Sequence, residues 1–269
     1  MLDAILFDYD GTLGMTQERQ HDWFHYWGKL NGKNRLMHPE GGDLSDLKRF
    51  IAVYNKVLAK HDVQRFYADL ELPCDMNDRT HPVWIAYDSF KLSNPARLYP
   101  GIKEAIIEIW EAGQLSTQKN RNYRVRLGIN TTNSWDSICK ELKAHGILHC
   151  FDSYVAKDIL AVYDGAGNAS SITKPSKISV ALSLDVLNSE GRATMHVGDT
   201  LGDLKASIDV RRGFRMHKGE NLITVGVAWG YECRENLEGG VIDESGVSEH
   251  FKHIIESPDQ LPKVVASYM

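Results

Sequence analysis

Two aspartates two residues apart, Asp8 and Asp10, follow the apolar run from Ala4 to Phe7 and lead into Gly11 and Thr12. The run reads as a short buried strand, and Asp-Gly as the turn that stops it. Two carboxylates at the end of a core strand repel one another and raise each other's pKa unless something offsets the charge. A divalent cation would do so, and ligation by oxygen alone suits magnesium. Two further stretches end in reactive residues: residues 123–130 run into Thr131 and Thr132, and residues 194–197 run into Gly198, Asp199 and, four residues on, Asp203. Lys174, followed by Pro175, is expected to open a helix, because proline is favourable at a first helical position. Together these groups suit the holding and attack of a phosphoryl group. A carboxylate can be the nucleophile, forming an aspartyl-phosphate that splits hydrolysis into two easier steps. Magnesium shields the anionic phosphate so that a carboxylate can approach it. A hydroxyl and an ammonium group bind the non-bridging oxygens, over which transition-state charge is spread.

The elements needed to position these residues can be read from the same sequence. After the first turn, residues 17–30 carry Trp23, Phe24, Trp27 and Leu30 at helical spacing. A loop with Pro39, Gly41 and Gly42 leads to an amphipathic helix over 43–61, then a helix over 62–72 and a fourth capped by Thr80. Residues 17–95 are thus expected to be all-helical, with no strand. From Tyr99-Pro100-Gly101 onward the order changes to strand and helix in alternation: a helix over 102–112 closed by Gly113, an exposed loop over 114–122, and a strand over 123–130. A helix over 135–145, a short strand at Tyr154 and Val155, and a hairpin over 158–173 follow. Then come a helix from Lys174 to about Leu187, the strand over 194–197, a helix over 203–210, a strand over 223–228 and an edge strand near Ile254 and Ile255. This order predicts an α/β fold, a doubly wound parallel sheet made by residues 1–16 and 96–269, with a helical domain of residues 17–95 inserted after the first strand. Ligands of such sheets bind at the carboxyl ends of the strands, where the strand order reverses. Trp23, Trp27, Trp84 and Trp110 lie on apolar helix faces and read as core.

Composition narrows the function classes. The 269 residues are 42% hydrophobic and 25% charged, enough for a large core. The net charge of −5 and the lack of a basic block argue against nucleic acid or an anionic membrane as partner. Cys74, Cys139, Cys150 and Cys233 form no metal-binding spacing and read as free thiols of a reducing compartment. The first strand begins beside Met1, and no apolar run approaches the ~20 residues of a membrane span. A cytoplasmic location is expected.

The motifs DYDGT at 8–12, LGINTT at 127–132, KP at 174–175 and GDTLGD at 198–203 resemble the four motifs of the haloacid dehalogenase superfamily. They occur in the family's order, and YPG at 99–101 and SPDQL at 257–261 resemble landmarks of its phosphatases, so the resemblance spans the chain. It implies that Asp8 is the nucleophile and Asp10 the general acid and base. Thr131 and Lys174 would bind phosphate, and Lys174 would also pair with the nucleophile. Asp199 and Asp203 would hold magnesium (Mg2+) with Asp8 and the backbone carbonyl of Asp10, and the helical block would be the inserted cap. Two departures from the pattern leave alternatives. Asn130 stands where the family has a hydrophobic residue, which makes Thr132 a rival to Thr131, and Lys157 is a second candidate for the lysine. The implied activity is a magnesium-dependent phosphatase of a small phosphorylated metabolite. A phosphomutase is the alternative; a phosphonate hydrolase and a catalytically idle binding protein are weaker ones. A carbon–halogen hydrolase is disfavoured, because the resembling dehalogenases lack the second acid present here as Asp10.

Overall fold

The apolar run at the start of the chain forms β1 (Leu2–Phe7), and all six of its residues are buried. The structure, a computed structural model, describes residues 2–58, 60–76, 78, 80–119, 124–163, 172–189, 193–213, 221–243 and 245–269. After β1 come α1 (Thr16–Leu30), β2 (Met37–His38), β3 (Gly42–Asp43), α2 (Leu47–Leu58), α3 (Val63–Asp69) and α4 (Pro82–Ser93). The chain continues through α5 (Ile102–Lys119), β4 (Arg126–Asn130), α6 (Trp135–Ala144), β5 (Ser153–Val155), α7 (Lys157–Tyr163), α8 (Lys177–Val186) and β6 (Ala193–Gly198). It ends with α9 (Leu201–Gly213), β7 (Leu222–Val227), α10 (Arg234–Gly239), β8 (Val241–Ile242), β9 (Ser248–Glu249), β10 (His253–Ile255) and α11 (Gln260–Ala266). Two compact units result: Met1–Met15 with Arg97–Met269, and Thr16–Ala96. No helix among the described residues is long and apolar enough to cross a membrane.

The first unit is a six-stranded sheet in the order β10-β7-β6-β1-β4-β5, with every pairing parallel. From β1 the chain moves outward through β4 to β5, then returns to β6 on the other side of β1 and continues to β7 and β10. The order therefore reverses at β1, the position at which such sheets bind ligands. Side chains of β1 alternate between two cores, as strand geometry requires. Ile5 and Phe7 join Ile102, Ile106, Ile138, Leu142 and Leu261 from α5, α6 and α11, while Ala4 and Leu6 join Val180, Leu184, Ala206 and Val210 from α8 and α9. Leu2 breaks the alternation by joining the first core, because the β1–β6 register shifts between Leu2 and Ala4.

The second unit packs around aromatic rings. Phe24 of α1 lies 4.7 Å from Tyr67 and 4.9 Å from Phe66 between ring centroids, and Tyr54 lies 5.0 Å from Phe66. Trp23 stacks on Trp27 at 5.5 Å. Both are buried, as expected of core, whereas Leu30 is exposed and Trp84 and Trp110 are only partly covered.

Several elements differ from the sequence reading. Residues 17–95 are not purely helical: β2 and β3 pair antiparallel, Met37 opposite Asp43, and α2 begins only at Leu47. Two-residue strands carry too little alternation to be seen in sequence. Helix α4 is capped by His81, whose Nδ1 accepts from Val83 N, while Thr80 instead donates to Asp78. Gly113 does not stop α5, which runs on to Lys119 through most of the expected loop. A Cβ at Gly113 would lie 3.4 Å from Val125 O, so this glycine serves a close helix–strand approach. Residues 157–163 form α7 where a hairpin was expected; its turn, Asp164-Gly165 and Gly167-Asn168, lies outside the described residues, as do residues 120–123. Lys174 and Pro175 lie before α8 rather than on it, since Ser176 is the cap and accepts from Ile178 N.

Candidate active site

Three neighbouring strands each deliver a polar residue directly past their last position. Asp8 follows β1, Thr131 follows β4 and Asp199 follows β6, while Asp203 stands in the first turn of α9. The backbone of Asp8 still belongs to the ladder, its N–H donating to Val197 O at 2.9 Å. One carboxylate oxygen from each of Asp8, Asp199 and Asp203 lies within 4.8 Å of the others, and all three residues are buried. Lys174 reaches into this cluster: its Nζ donates to Asp8 Oδ1 at 2.5 Å and to Asn130 O at 3.1 Å, and lies 2.7 Å from Asp203 Oδ1.

The electrostatics follow from burial and mutual repulsion. Burial raises the Asp8 carboxyl to about 7; the Lys174 charge opposes the rise, and Asp203 and Asp10 add to it. Asp199 is raised well above the ordinary carboxylate range by burial and by the charges of Asp8 and Asp203. Asp203 goes the other way: burial is the largest influence and raises it, but the charges of Lys174 and His196, with hydrogen bonds from Lys174 and Thr200, together outweigh burial and lower it. Burial works to lower Lys174, but Asp203 and Asp8 outweigh it and raise its pKa. Three buried carboxylates thus stand beside one ammonium group, which pairs with two of them, Asp8 and Asp203. Asp203 Oδ1, although ion-paired with Lys174, is buried without a well-directed hydrogen bond. A hard divalent cation fits this donor set, since carboxylate oxygens are its preferred ligands.

The surroundings hold each carboxylate in place. Thr12 Oγ1 donates to Asp199 Oδ1 at 2.9 Å, and Tyr231 N donates to Asp199 Oδ2 at 2.7 Å. Gly11 has φ +81°, and a Cβ there would come 2.2 Å from Asp199 Oδ2; one at Gly230 would come 2.3 Å from the same atom. Only glycine fits both places. Thr200 Oγ1 donates to Asp203 Oδ2 at 2.8 Å. The turn itself is anchored by Tyr9, whose buried hydroxyl donates to Glu141 Oε2 at 2.6 Å. Tyr9→Phe is expected to cost about 1–3 kcal/mol, because it takes a donor from a buried carboxylate. Chemical denaturation of the variant measures this.

Asp10 lies outside the carboxylate cluster. Its Oδ2 accepts from Thr131 Oγ1 at 3.1 Å and its Oδ1 from Asn133 Nδ2 at 3.3 Å. A metal contact from Asp10 would therefore fall to its backbone carbonyl, as the motif resemblance implies. Thr131 is buried with its hydroxyl on Asp10, whereas Thr132 is exposed. Lys157 is exposed at the start of α7, whereas Lys174 is buried against Asp8 and Asp203. Asn130, the departure from the family pattern, turns to α8 and donates to Ser183 Oγ at 2.8 Å.

Sequence reasoning missed Asn133, Tyr231 and the anchoring role of Thr12. The signal for Asn133 was its position one residue past the two threonines. Tyr231 follows β7, a strand recognised in the sequence but not counted as a contributor. Its neighbour Trp229 donates to Thr12 O at 3.0 Å, tying that segment to the first turn.

Residues 2–210 match the haloacid dehalogenase-like hydrolase family. The sequence matches none of the curated proteins. Among solved structures, the chain is similar to a haloacid dehalogenase-like family hydrolase from Streptococcus pneumoniae, with 18% identity and a TM-score of 0.59 over 100% of this chain and 99% of that one. It is similar also to a protein assigned as a beta-phosphoglucomutase from Thermotoga maritima, with 16% identity and a TM-score of 0.60 over 100% of both chains. CbbY from Rhodobacter sphaeroides, solved in complex with phosphate, has 20% identity and a TM-score of 0.58 over 97% of this chain and 96% of that one. At these identities the structures speak to the fold, and the match over residues 2–210 speaks to descent. With its parallel sheet and its carboxylates gathered at the reversal of strand order, the chain belongs to the haloacid dehalogenase-like hydrolase family.

Proposed function

We propose that the chain is a magnesium-dependent phosphatase that hydrolyses a small phosphorylated metabolite through an aspartyl-phosphate on Asp8. The observation that carries this reading is the pairing of two aspartates in different settings. Asp8 is buried against the Lys174 ammonium, within the carboxylate cluster, and Asp10 is held apart from it by Thr131 and Asn133. Environments that separate two acids in this way suit a nucleophile and a proton carrier. CbbY, which shares the fold, has been crystallised with phosphate and, as a mutant, with xylulose-(1,5)bisphosphate, which supports a phosphorylated small molecule as the substrate class.

An Asp8 carboxylate oxygen attacks phosphorus as the ester oxygen leaves, and Asp10 gives that oxygen its proton. Asp10, now a carboxylate, takes a proton from water as the water attacks the aspartyl-phosphate. Inorganic phosphate departs and Asp8 is regenerated. Lys174 and the Thr131 hydroxyl bind the non-bridging oxygens, where transition-state charge is spread. Asp8, Asp199, Asp203 and the Asp10 carbonyl would hold magnesium, which when bound shields phosphate charge from the attacking carboxylate. The unit Thr16–Ala96 stands in the chain where the family's inserted cap is expected, directly after the first strand and its turn, and we assign it that role.

A panel of phosphate esters assayed with and without magnesium tests the reading. Chelator should abolish turnover, magnesium should restore it, and calcium should restore little, because calcium favours higher coordination and looser geometry. Asp199→Ala should move the magnesium titration to higher concentration by roughly tenfold or more. Full turnover in excess chelator would contradict the metal assignment.

A further inference from the structure

Within the unit Thr16–Ala96, a cavity of about 140 Å³ lies among α1, α2, α3 and α4. Its walls include the rings of Tyr54, Tyr67, Trp84 and Tyr87, with Gln20 and Val83 beside them. Three of the four aromatic polar atoms are already engaged inside the unit. Tyr67 Oη accepts from Trp23 Nε1 at 2.6 Å, Tyr87 Oη accepts from Gln20 Nε2 at 3.0 Å, and Trp84 Nε1 donates to Asp75 O at 3.2 Å. Tyr54 differs. It is only 8% exposed, yet its hydroxyl has no hydrogen-bond partner among the described residues and is not sealed off by neighbouring atoms.

A hydroxyl that still meets solvent makes its hydrogen bond to water, and a guest that offers a hydrogen bond of its own can take that water's place. The cavity's size decides what could serve as the partner. A dry cavity of about 150 Å³ holds benzene, whereas drug-sized ligands need roughly 300 Å³ or more. One ring therefore fits here and two do not. Aromatic walls favour an aromatic guest, which can meet them edge to face or offset-stacked. We propose that this cavity is a binding site for a single-ring aromatic molecule bearing one hydrogen-bonding substituent, of the phenol class, which lies against the rings and pairs with the Tyr54 hydroxyl. The site is built wholly within Thr16–Ala96 and uses none of the residues assigned to phosphoryl transfer, so it stands independently of that assignment.

Phenol and toluene, which have nearly the same shape but differ in the hydroxyl, are the probes. Binding to the full chain is followed through the Trp84 indole N–H resonance in two-dimensional NMR. Phenol should shift that resonance saturably and bind roughly three- to tenfold more tightly than toluene, the worth of one net hydrogen bond. Tyr54→Phe keeps the ring and should abolish the preference while leaving toluene binding unchanged. Met76→Trp, at a half-exposed lining position, should weaken both probes by occupying the space. Should that variant fail to fold, Tyr54→Phe still decides the matter. No saturable shift with phenol, or a phenol-to-toluene ratio that Tyr54→Phe leaves unchanged, would overturn the proposal.

Discussion

Asp8→Asn is expected to lower turnover of phosphate esters by on the order of 10⁵-fold or more, the scale on which loss of a covalent nucleophile acts. An amide has the shape of the carboxylate but cannot form the acyl-phosphate. The fold should not suffer, because Lys174 keeps its ion pair with Asp203 at 2.7 Å and its bond to Asn130 O at 3.1 Å. Loss of the 2.5 Å contact to Asp8 is offset by removing one of three buried, mutually repelling carboxylates. Thermal melting followed by circular dichroism should therefore give a midpoint no lower than that of the parent protein. Inactivity without unfolding would place the defect in chemistry, and substantial residual turnover would remove Asp8 from the nucleophile's role.

The second large effect belongs to Asp10. Asp10→Asn should slow turnover by roughly 10²–10⁴-fold, the usual worth of a positioned proton carrier. The amide can still accept from Thr131 or Asn133 through its oxygen, so the local hydrogen bonding at 3.1 and 3.3 Å is only partly lost. The loss should shrink when the leaving group is a nitrophenolate, which departs without a proton, because only the water step then needs Asp10. Steady-state rates on an alkyl phosphate and on nitrophenyl phosphate measure the difference. Equal losses on both would argue that Asp10 acts in some way other than proton transfer to the leaving oxygen.

The parts of the site legible in the sequence were those whose partners lie close in the chain. Asp8 and Asp10 stand within one turn, Asp199 and Asp203 within one strand-to-helix junction, and each group follows an apolar run that announces a strand. The parallel sheet followed from strand and helix in alternation, and even the short edge strand β10 was visible as Ile254 and Ile255. Contacts made only by the fold were not legible. Nothing local in the sequence joins Tyr231 to Asp199 or Asn133 to Asp10, which stand 32 and 123 residues apart. The choice between Thr131 and Thr132 depended on which side chain the end of β4 turns inward. The difference between Lys174 and Lys157 lies in burial, and the expectation that Lys174 opens a helix was mistaken, because α8 begins at Lys177 behind the Ser176 cap. Local signals also misled where packing overrode them. Gly113 resembles a helix stop but faces Val125, and the turn-rich residues after Asp158 hid the helix that precedes them.

The central claim is that phosphate passes through Asp8. Its most direct test is to quench the wild-type protein in acid during turnover of a labelled phosphate ester, trap the acyl-phosphate by hydride reduction, and map the modified peptide. The account predicts one site of label, on Asp8 in the peptide spanning residues 8–12, absent from Asp8→Asn and retained at a reduced rate in Asp10→Asn. Label on Asp10, or on any residue outside 8–12, would contradict it.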